Sequence, residues 1–411
     1  MKTPQKPVAA WLTMAVLAAE TVFLAWKASL DSPFLISALL GAAVIQIRTC
    51  RRGFELAATV PLAAGLAVLH FGPHVRLLYE NPAGLGEFLG LSSLFVMGVR
   101  VSRSRAHEVR DNLNAFKAAV ALPLFAIVSV AALPLTQRAY PVTLDRVLYA
   151  FDGSLGLQPS FVLGRLLAHL AWLRVLAKLA YEQVPVAAAI LYASTMGAGQ
   201  PRKPNLFVVC GVAGVVGCLL YGLVPGAGPR YLFPSRFPDS AAPLAGLALL
   251  PVVLPAGIPR NAIPSLHMAW AVLLFWNARQ SAILLRAGYG LLLVLTVLCT
   301  LGSGEHYMID LVVALPFALA VQAAFSVPVR ELPRSFPFWA GSAATLAWLG
   351  FLRFAAPAWL GASVLDWGLV AATAAGSVML ERHARREYHT SKNRRRAVGP
   401  NEELETVSAP L

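Results

Sequence analysis

Long apolar runs separated by short polar segments dominate the pattern of residues along the chain. A run of about 20 apolar residues is long enough to cross a bilayer as a helix, and charges, prolines and glycines divide the sequence into twelve such runs. We therefore predict an all-α, polytopic helix bundle of about twelve spans, whose first run is a retained helix and not a cleaved signal peptide. The predicted spans lie near 8–26, 33–47, 54–71, 84–99, 114–135, 177–196, 204–224, 264–278, 282–301, 307–327, 337–355 and 361–380.

The basic residues give these predicted spans an orientation. Short cytoplasmic loops are enriched in Lys and Arg, and with the N-terminus inside, 23 of the 34 basic residues fall in cytoplasmic segments and 8 in outer segments. The net charge of +14 therefore indicates membrane topology and not a nucleic-acid partner. Both termini are predicted to be cytoplasmic. The basic tail Arg382–Arg396 suits anionic lipid headgroups, although a plain topogenic signal explains it equally well.

Composition narrows the class of protein further. Hydrophobic residues make up 57% of the chain and charged residues only 13%, which excludes an ordinary soluble enzyme. The four cysteines have no C-x-x-C spacing, so neither a disulfide framework nor a thiolate metal site is predicted. The sequence contains no nucleotide-binding or zinc motif, and we predict no cofactor. The alanine-, leucine- and arginine-rich composition suggests a bacterial inner membrane.

Two predicted outer segments are longer than simple connections, and long loops often carry function. Residues 136–176 include the run Phe161–Leu176, whose mixture of apolar and basic residues predicts a helix lying in the membrane interface. Residues 225–263 are rich in proline, glycine and arginine. At the start of the sixth predicted span, Glu182 is predicted to pair with Lys178 one turn earlier.

Two polar segments begin predicted spans at the same membrane face. Pro264-Ser265-Leu266-His267 begins the eighth span, and Gly304-Glu305-His306-Tyr307-Met308-Ile309-Asp310 begins the tenth. In the orientation derived from charge, both lie at the outer face. Because polar groups at membrane depth are rare without a function, these two segments are the candidate active site.

The spacing in the second segment indicates nucleophilic catalysis. His306 and Asp310 are four residues apart and share one face of a helix, so the carboxylate can accept the Nδ1 proton of the imidazole. The Nε2 lone pair is then available as a nucleophile. His267, on the neighbouring helix, can protonate a leaving oxygen. The catalytic residues are therefore predicted to be His267, His306 and Asp310.

Phosphoryl chemistry also requires donors and positive charge. Arg230, Arg236 and Arg260, with Ser265 and the amides of the helix starts, are the predicted phosphate-binding residues. Two other interpretations stay open: the trio merely satisfies helix ends, or it binds a metal together with Glu305. We predict no metal.

These segments resemble a known family. A P-S-x-H segment followed 39 residues later by H-Y-x-x-D is similar to the type-2 phosphatidic acid phosphatase superfamily. The string His306-Tyr307-Met308-Ile309-Asp310-Leu311-Val312-Val313-Ala314 looks most like the branch of inositol phosphorylceramide and sphingomyelin synthases, and Gly228-Pro229-Arg230-Tyr231-Leu232-Phe233-Pro234 occurs in related bacterial membrane proteins.

The resemblance implies a six-helix core with an extracytoplasmic site, which would correspond to the fifth through tenth spans. It implies that His306 forms a phosphohistidine, that Asp310 orients it, and that His267 protonates the leaving group and then activates water or an alcohol. Ser265 and Arg230 would contact the phosphate. The implied partners are a lipid phosphate or phospholipid substrate, an acceptor alcohol and membrane lipids, without nucleic acid.

Departures from the motifs affect the choice of reaction. The phosphatases' lysine-containing first motif is missing, and Cys299-Thr300 stand where their third motif has Ser-Arg. Both departures favour the headgroup-transferase branch, with inositolphosphotransferase-like chemistry, over hydrolysis of phosphatidic acid or polyprenyl phosphates. A non-catalytic lipid transporter or scaffold is the alternative of another class.

Four regions follow from these interpretations. Residues 1–113 are N-terminal helices without an assigned role, and residues 114–327 form the catalytic membrane core. Residues 328–381 add two spans, and residues 382–411 form a basic, disordered cytoplasmic tail.

Overall fold

A computed structural model describes residues 32–50, 53–72, 83–195, 206–327, 329–356 and 363–397. These residues form a predominantly helical protein with 15 α-helices. The sheet found among them has two short antiparallel strands, β1 (Val142–Thr143) and β2 (Val252–Val253), with Val142 opposite Val253. This ribbon ties together the two long connections that the sequence places before the sixth and eighth spans. Apart from this two-stranded ribbon, the described residues confirm the expected helical class.

The N-terminal helices pack as a layer around the first of them. Helix α1 (Pro33–Thr49) begins at a proline, whose fixed φ suits a first helical turn. It contacts α3 (Ala83–Ser102), α4 (Val109–Ala139) and the later helix α8 (Val184–Thr195). At the ends of α1 and α3, Arg100 donates to the Thr49 carbonyl at 3.0 Å and to the Glu55 carboxylate at 3.1 Å. The bounds are α1 Pro33–Thr49, α2 Gly53–Phe71, α3 Ala83–Ser102 and α4 Val109–Ala139.

The middle of the chain differs from the hydropathy prediction. The run Phe161–Leu176 is not one interfacial helix, because it breaks at Leu170 into α6 (Pro159–His169) and α7 (Ala171–Glu182), which meet at 117°. The predicted span 177–196 is also interrupted, at Gln183, between α7 and α8 (Val184–Thr195). Hydropathy depends on composition and not on the direction of a helix. The prediction therefore assigned one helix to each of two runs that the structure divides.

Short helices flank these bends. Helix α5 (Asp145–Ser154) follows β1, and the apolar helix α9 (Leu206–Leu220) precedes the four-residue α10 (Pro229–Leu232). Prolines and glycines keep most of the connection from α10 to residue 265 irregular, as the sequence predicted.

Helix α13 is the central helix of the protein. It runs over Met308–Ser326, 72% of its span is buried inside the protein, and it contacts α11, α14 and α15. Helices α6 and α7 pack against α12 instead. The bounds are α11 Leu266–Ala278, α12 Ile283–Gly302, a 3₁₀ turn at Val329–Arg334, α14 Phe336–Gly350 with a π-turn at Phe351–Ala355, and α15 Ser363–Ala397.

Six described helices have the length and hydropathy of a membrane span, or seven if α6 and α7 form one broken span. Four further apolar helices, α1, α8, α9 and α11, are shorter than 18 residues. The count of twelve is therefore not confirmed, nor is the six-helix core, and the first predicted span, 8–26, lies outside the described residues. The six helices support an integral membrane protein. The tail expected from residue 382 onward begins as helix, because α15 continues to Ala397.

Candidate active site

His306 lies just before α13, and hydrogen bonds to its Nδ1 atom hold the imidazole in place. This atom is 2.8 Å from the carbonyl oxygen of Ala262 and 3.3 Å from Oδ2 of Asp310. A carbonyl oxygen only accepts hydrogen bonds, so Nδ1 carries the proton and the lone pair of the neutral ring lies on Nε2. The hydroxyl of Ser160 donates to the His306 carbonyl at 2.8 Å and fixes the backbone beneath the ring.

The contact between His306 and Asp310 arises differently from the expected helical i,i+4 pair. Helix α13 begins only at Met308, with Tyr307 as its N-cap, so His306 precedes the helix. Asp310 turns back toward the helix start, where its Oδ2 accepts the Tyr307 N–H at 2.8 Å. Its other oxygen, Oδ1, is buried and has no hydrogen-bond partner among the described residues. The carboxylate therefore caps the helix and contacts the imidazole at once.

The start of α11 is joined to the start of α13 by one backbone hydrogen bond and by one hydrogen bond from the His306 side chain. Ser265 is the N-cap of α11, and its N–H donates to the Asp310 carbonyl at 3.2 Å. Its hydroxyl oxygen accepts the Met268 N–H at 3.5 Å. Three residues earlier, Ala262 supplies the carbonyl that holds His306. The two motif segments thus form one unit, although they are far apart in sequence.

His267 and His306 line the same cavity, of about 260 Å³, which we call the histidine cavity. The ring of Tyr181 stacks on His267, with centroids 3.7 Å apart and planes inclined by 17°. Phe34 contacts the edge of the same imidazole at 5.8 Å. The structure thus places both histidines in the wall of one cavity. Polar side chains of the cavity wall also include Ser129, Glu182 and Asn261.

Arg230 lies beside the histidine segment but is paired. Its Nη1 atom is 3.0 Å from Oε1 of Glu305, and its backbone N–H donates to the Gly304 carbonyl at 2.9 Å. The side chain is 44% exposed, so solvent screens this ion pair. A phosphate can therefore compete with Glu305 for the guanidinium at a modest cost.

The other two predicted phosphate-binding arginines are placed differently. Arg236 is exposed in the turn after α10. Arg260 is 1% exposed, and its guanidinium donates to the carbonyls of Tyr140, Leu254 and Ile258. Neither residue belongs to the wall of the histidine cavity. Arg260 instead holds the long connection before α11, because three backbone acceptors occupy all three guanidinium nitrogens.

Asp145 was not singled out from the sequence, yet it supports the site from below. Its carboxylate is fully buried and accepts the N–H groups of Ala227, at 3.0 Å, and Gly228, at 2.8 Å. It also accepts the hydroxyl of Tyr307 at 2.9 Å. This one side chain therefore joins the loop that carries Arg230 to the N-cap of α13.

Asp152 lies two turns further along α5, and like Asp145 it contacts the start of α13. Its carboxyl oxygens accept the N–H groups of Met308, at 2.7 Å, and Ile309, at 3.2 Å. Burial raises the pKa of Asp152 to about 8 despite the opposing Met308 N–H, and the negative charge of Asp310 also raises it. A sequence signal existed: two aspartates seven residues apart in a largely apolar stretch share a helix face.

Replacing Asp152 should weaken the start of α13. In Asp152→Ala, two N–H groups lose their acceptor, which costs about 1–3 kcal/mol and lowers the thermal unfolding midpoint in detergent by several degrees. Asp152→Asn keeps one acceptor and resembles the neutral acid, so its midpoint should fall less. The exposed Asp239→Ala serves as the matched control, and an Asp152→Ala midpoint equal to that of the control would contradict this assignment.

Gly228 permits close contact between the Arg230 loop and the histidine segment. Its φ of +114° lies in the region that favours glycine, and a Cβ there would lie 2.4 Å from the backbone of Glu305. Steric contact therefore explains the glycine at position 228. Because Gly228 has no side chain, the loop approaches closely enough for Arg230 to contact both Gly304 and Glu305.

The open metal-site interpretation finds no further donors. Glu305 pairs with Arg230, and within the described ranges no group of three or more His, Cys, Asp and Glu side chains is arranged to hold a metal ion.

Comparison with known proteins finds a match to one family model, over part of the chain. Neither a curated protein nor a solved structure gives a significant match. Members of the PAP2 superfamily are usually phosphatases or phosphotransferases that act on lipid phosphates in membranes. The segment 146–324, which is under half of the chain but contains every predicted site residue, matches the family model of the PAP2 superfamily.

Proposed function

We propose that this protein transfers a phosphoryl or phospho-headgroup unit from a membrane lipid through a phosphohistidine on His306. The observation that carries the proposal is the orientation of His306: Nδ1 is held by Ala262 and Asp310, and the ring lines a cavity that also contains His267. A held imidazole with a free Nε2 lone pair is what a nitrogen nucleophile requires.

The reaction balances with these two histidines. The Nε2 lone pair of His306 attacks phosphorus, and the bond to the leaving oxygen breaks. His267, which we propose is protonated when the anionic substrate binds beside it, gives that oxygen a proton. The positive charge on the phosphorylated ring is offset by Asp310. Neutral His267 then takes a proton from water or an alcohol, whose oxygen bonds to phosphorus while the P–N bond breaks. His306 returns to its starting form and His267 is again protonated.

Phosphate binding is assigned to Arg230, Ser265 and the helix-start amides. Helix N-termini favour anions. At α13 the N–H groups of Met308 and Ile309 already donate to Asp152, so the amides assigned to phosphate are those at the start of α11. Arg230 would exchange Glu305 for phosphate during turnover. Arg236 and Arg260 are left out of the proposed site because their positions give them no contact with the cavity.

Transfer to an alcohol is preferred over hydrolysis. The cavity wall contains Ser129, Glu182 and Asn261, which are hydrogen-bonding partners suited to a hydroxylated acceptor. Glu182 also pairs with Lys178 at 3.7 Å, as expected, but that pair leaves it at the cavity wall. An inositolphosphotransferase-like reaction fits this lining, and hydrolysis of phosphatidic acid or polyprenyl phosphate is the alternative. The distribution of basic residues supports an extracytoplasmic site, and the alanine-, leucine- and arginine-rich composition supports a bacterial inner membrane.

Trapping the intermediate tests the proposal. The full-length protein in mixed micelles with EDTA is given phosphate-labelled phosphatidic acid, phosphatidylinositol or a polyprenyl phosphate, and then quenched in alkali. We expect an alkali-stable, acid-labile label on His306, located by mass spectrometry. Adding inositol or diacylglycerol should discharge the label into a new product if the enzyme is a transferase, whereas water alone should discharge it in a phosphatase. Product formation that proceeds equally well in His306→Ala would overturn the proposal.

A further inference from the structure

A second, smaller cavity adjoins the histidine cavity. It measures about 40 Å³, and we call it the apolar crevice because its lining residues carry no charge. Its walls come from α1, α4, α8, α9 and α11. Phe34 and Trp270 line both cavities, so these two rings form the partition between them.

The apolar crevice continues the histidine cavity along the same helices. On α4, Ser129, Val130 and Leu133 line the histidine cavity, whereas Ala121, Leu122 and Phe125 line the apolar crevice. The two sets are eight residues apart, which is about 12 Å along a helix. On α9, Cys218 and Cys210 repeat the offset. The crevice therefore extends away from the helix starts that hold the histidines.

The partition consists of packed aromatic rings. Phe34 stacks on Trp270 with centroids 5.9 Å apart and planes inclined by 19°, and Phe125 meets the edge of Trp270 at 5.3 Å. The indole N–H of Trp270 donates to the Cys210 carbonyl at 3.0 Å, which anchors that ring. Phe34, on the first turn of α1, is held by ring contacts to Trp270 and His267.

We propose that Phe34 determines the length of the lipid chain that the site accepts. This inference rests on the proposed function: with the phosphate at His306, the substrate's acyl chain runs through the histidine cavity and ends against Phe34 and Trp270. An apolar wall favours burial of methylene groups. Phe34 lies outside the matched segment 146–324, so a helix of the N-terminal region supplies the specificity wall of the site.

Removing the ring should extend the chain subsite. Phosphatidic acids with acyl chains of graded length are compared in mixed micelles at constant surface concentration. In Phe34→Ala, the ratio of kcat/KM for the longest to the shortest chain should rise about tenfold over the wild type, roughly the effect of burying two more methylene groups. Phe95→Ala, an exposed phenylalanine on α3, is the matched control and should keep the wild-type ratio.

A binding measurement gives a readout that does not need turnover. His306→Ala is studied with and without Phe34→Ala, using phosphatidic acid brominated near the methyl ends of its acyl chains. The signal of Trp270 is isolated by subtracting the same measurement in Trp270→Phe variants. The brominated lipid is the one with the longest acyl chains, which the partition excludes while Phe34 is present. Quenching of Trp270 by its methyl-end bromines should increase when Phe34 is removed, because this long chain can then enter between the helices.

The outcomes separate this inference from the proposed function. The inference is supported if the chain-length ratio and the quenching both rise in Phe34→Ala and the ratio does not rise in Phe95→Ala. An unchanged ratio with intact His306-dependent activity overturns the Phe34 assignment and leaves the proposed function standing. If no lipid is turned over by the wild type, the proposed function fails, and unchanged quenching then overturns the chain subsite as well.

Discussion

His306→Ala should reduce kcat/KM for lipid phosphates at least about 10⁴-fold, since removing the nucleophile of a cooperating catalytic set has effects of that size. The imidazole is 3% exposed and is held through Nδ1 by Ala262 and Asp310. The rate is measured as phosphate release and as transfer to inositol or diacylglycerol, in EDTA.

Two variants separate chemistry from folding in this experiment. His306→Asn retains a side-chain N–H that can donate to the Ala262 carbonyl, so it should unfold near the wild-type temperature and still be inactive. His169→Ala removes an exposed histidine from α6 and should keep full activity. If His306→Asn retained a tenth of the wild-type rate or more, His306 would not be the nucleophile.

His267→Ala should have the second-largest effect, and the effect should depend on the leaving group. A lipid alkoxide needs a proton as it departs, so loss of the proton donor should lower kcat/KM about 10²–10⁴-fold. Nitrophenolate departs without a proton, so p-nitrophenyl phosphate should still phosphorylate His306. Discharge by water still lacks its base, and the expected time course is a burst of about one equivalent followed by a slow phase.

The stacking of Tyr181 on His267 makes a structural control necessary for this variant. Tyr181→Leu removes the stack but leaves the imidazole, and it should lower the rates on lipid and nitrophenyl donors by the same factor. Equal losses on both donors in His267→Ala, without a burst, would show that His267 positions other groups and does not transfer a proton.

The sequence singled out four side chains of the candidate site but not the groups that hold them in place. His267, His306, Asp310 and Ser265 could be recognised because each lies in a short local motif. The carbonyl of Ala262 contacts His306 across 44 residues of sequence, and the carboxyl group of Asp152 contacts Met308 across 156. No local pattern encodes such pairings, although the spacing of Asp145 and Asp152 marked α5 as unusual.

Arginines show the same limit of sequence reasoning. Arg230 and Arg260 are both basic residues in the proline-rich connection that the sequence predicts to be on the outer side, so charge alone does not distinguish them. One meets Glu305 beside the histidines, and the other is enclosed by backbone carbonyls. The difference comes from where irregular backbone leaves carbonyl oxygens unpaired, and that is decided only by the folded connection.

Hydropathy predicted helices well and their directions poorly. The apolar runs of α4, α12 and α13 correspond to predicted spans, because each is long and uninterrupted. The run Phe161–Leu176 and the predicted span 177–196 were bounded wrongly, because the helices break at Leu170 and at Gln183. Such a break changes neither composition nor hydropathy.

The backbone bond from Ser265 to Asp310 and the bond from His306 to Ala262 fasten two helix ends into one block. Helices respond to bilayers of different thickness by tilting. A tilt that moves α11 also carries the start of α13, so the spacing between His306 and His267, the proposed nucleophile and proton donor, should be preserved in thick and thin membranes alike. Lipid environment would then govern how readily substrates enter, while the intrinsic rate of bond breaking stays constant.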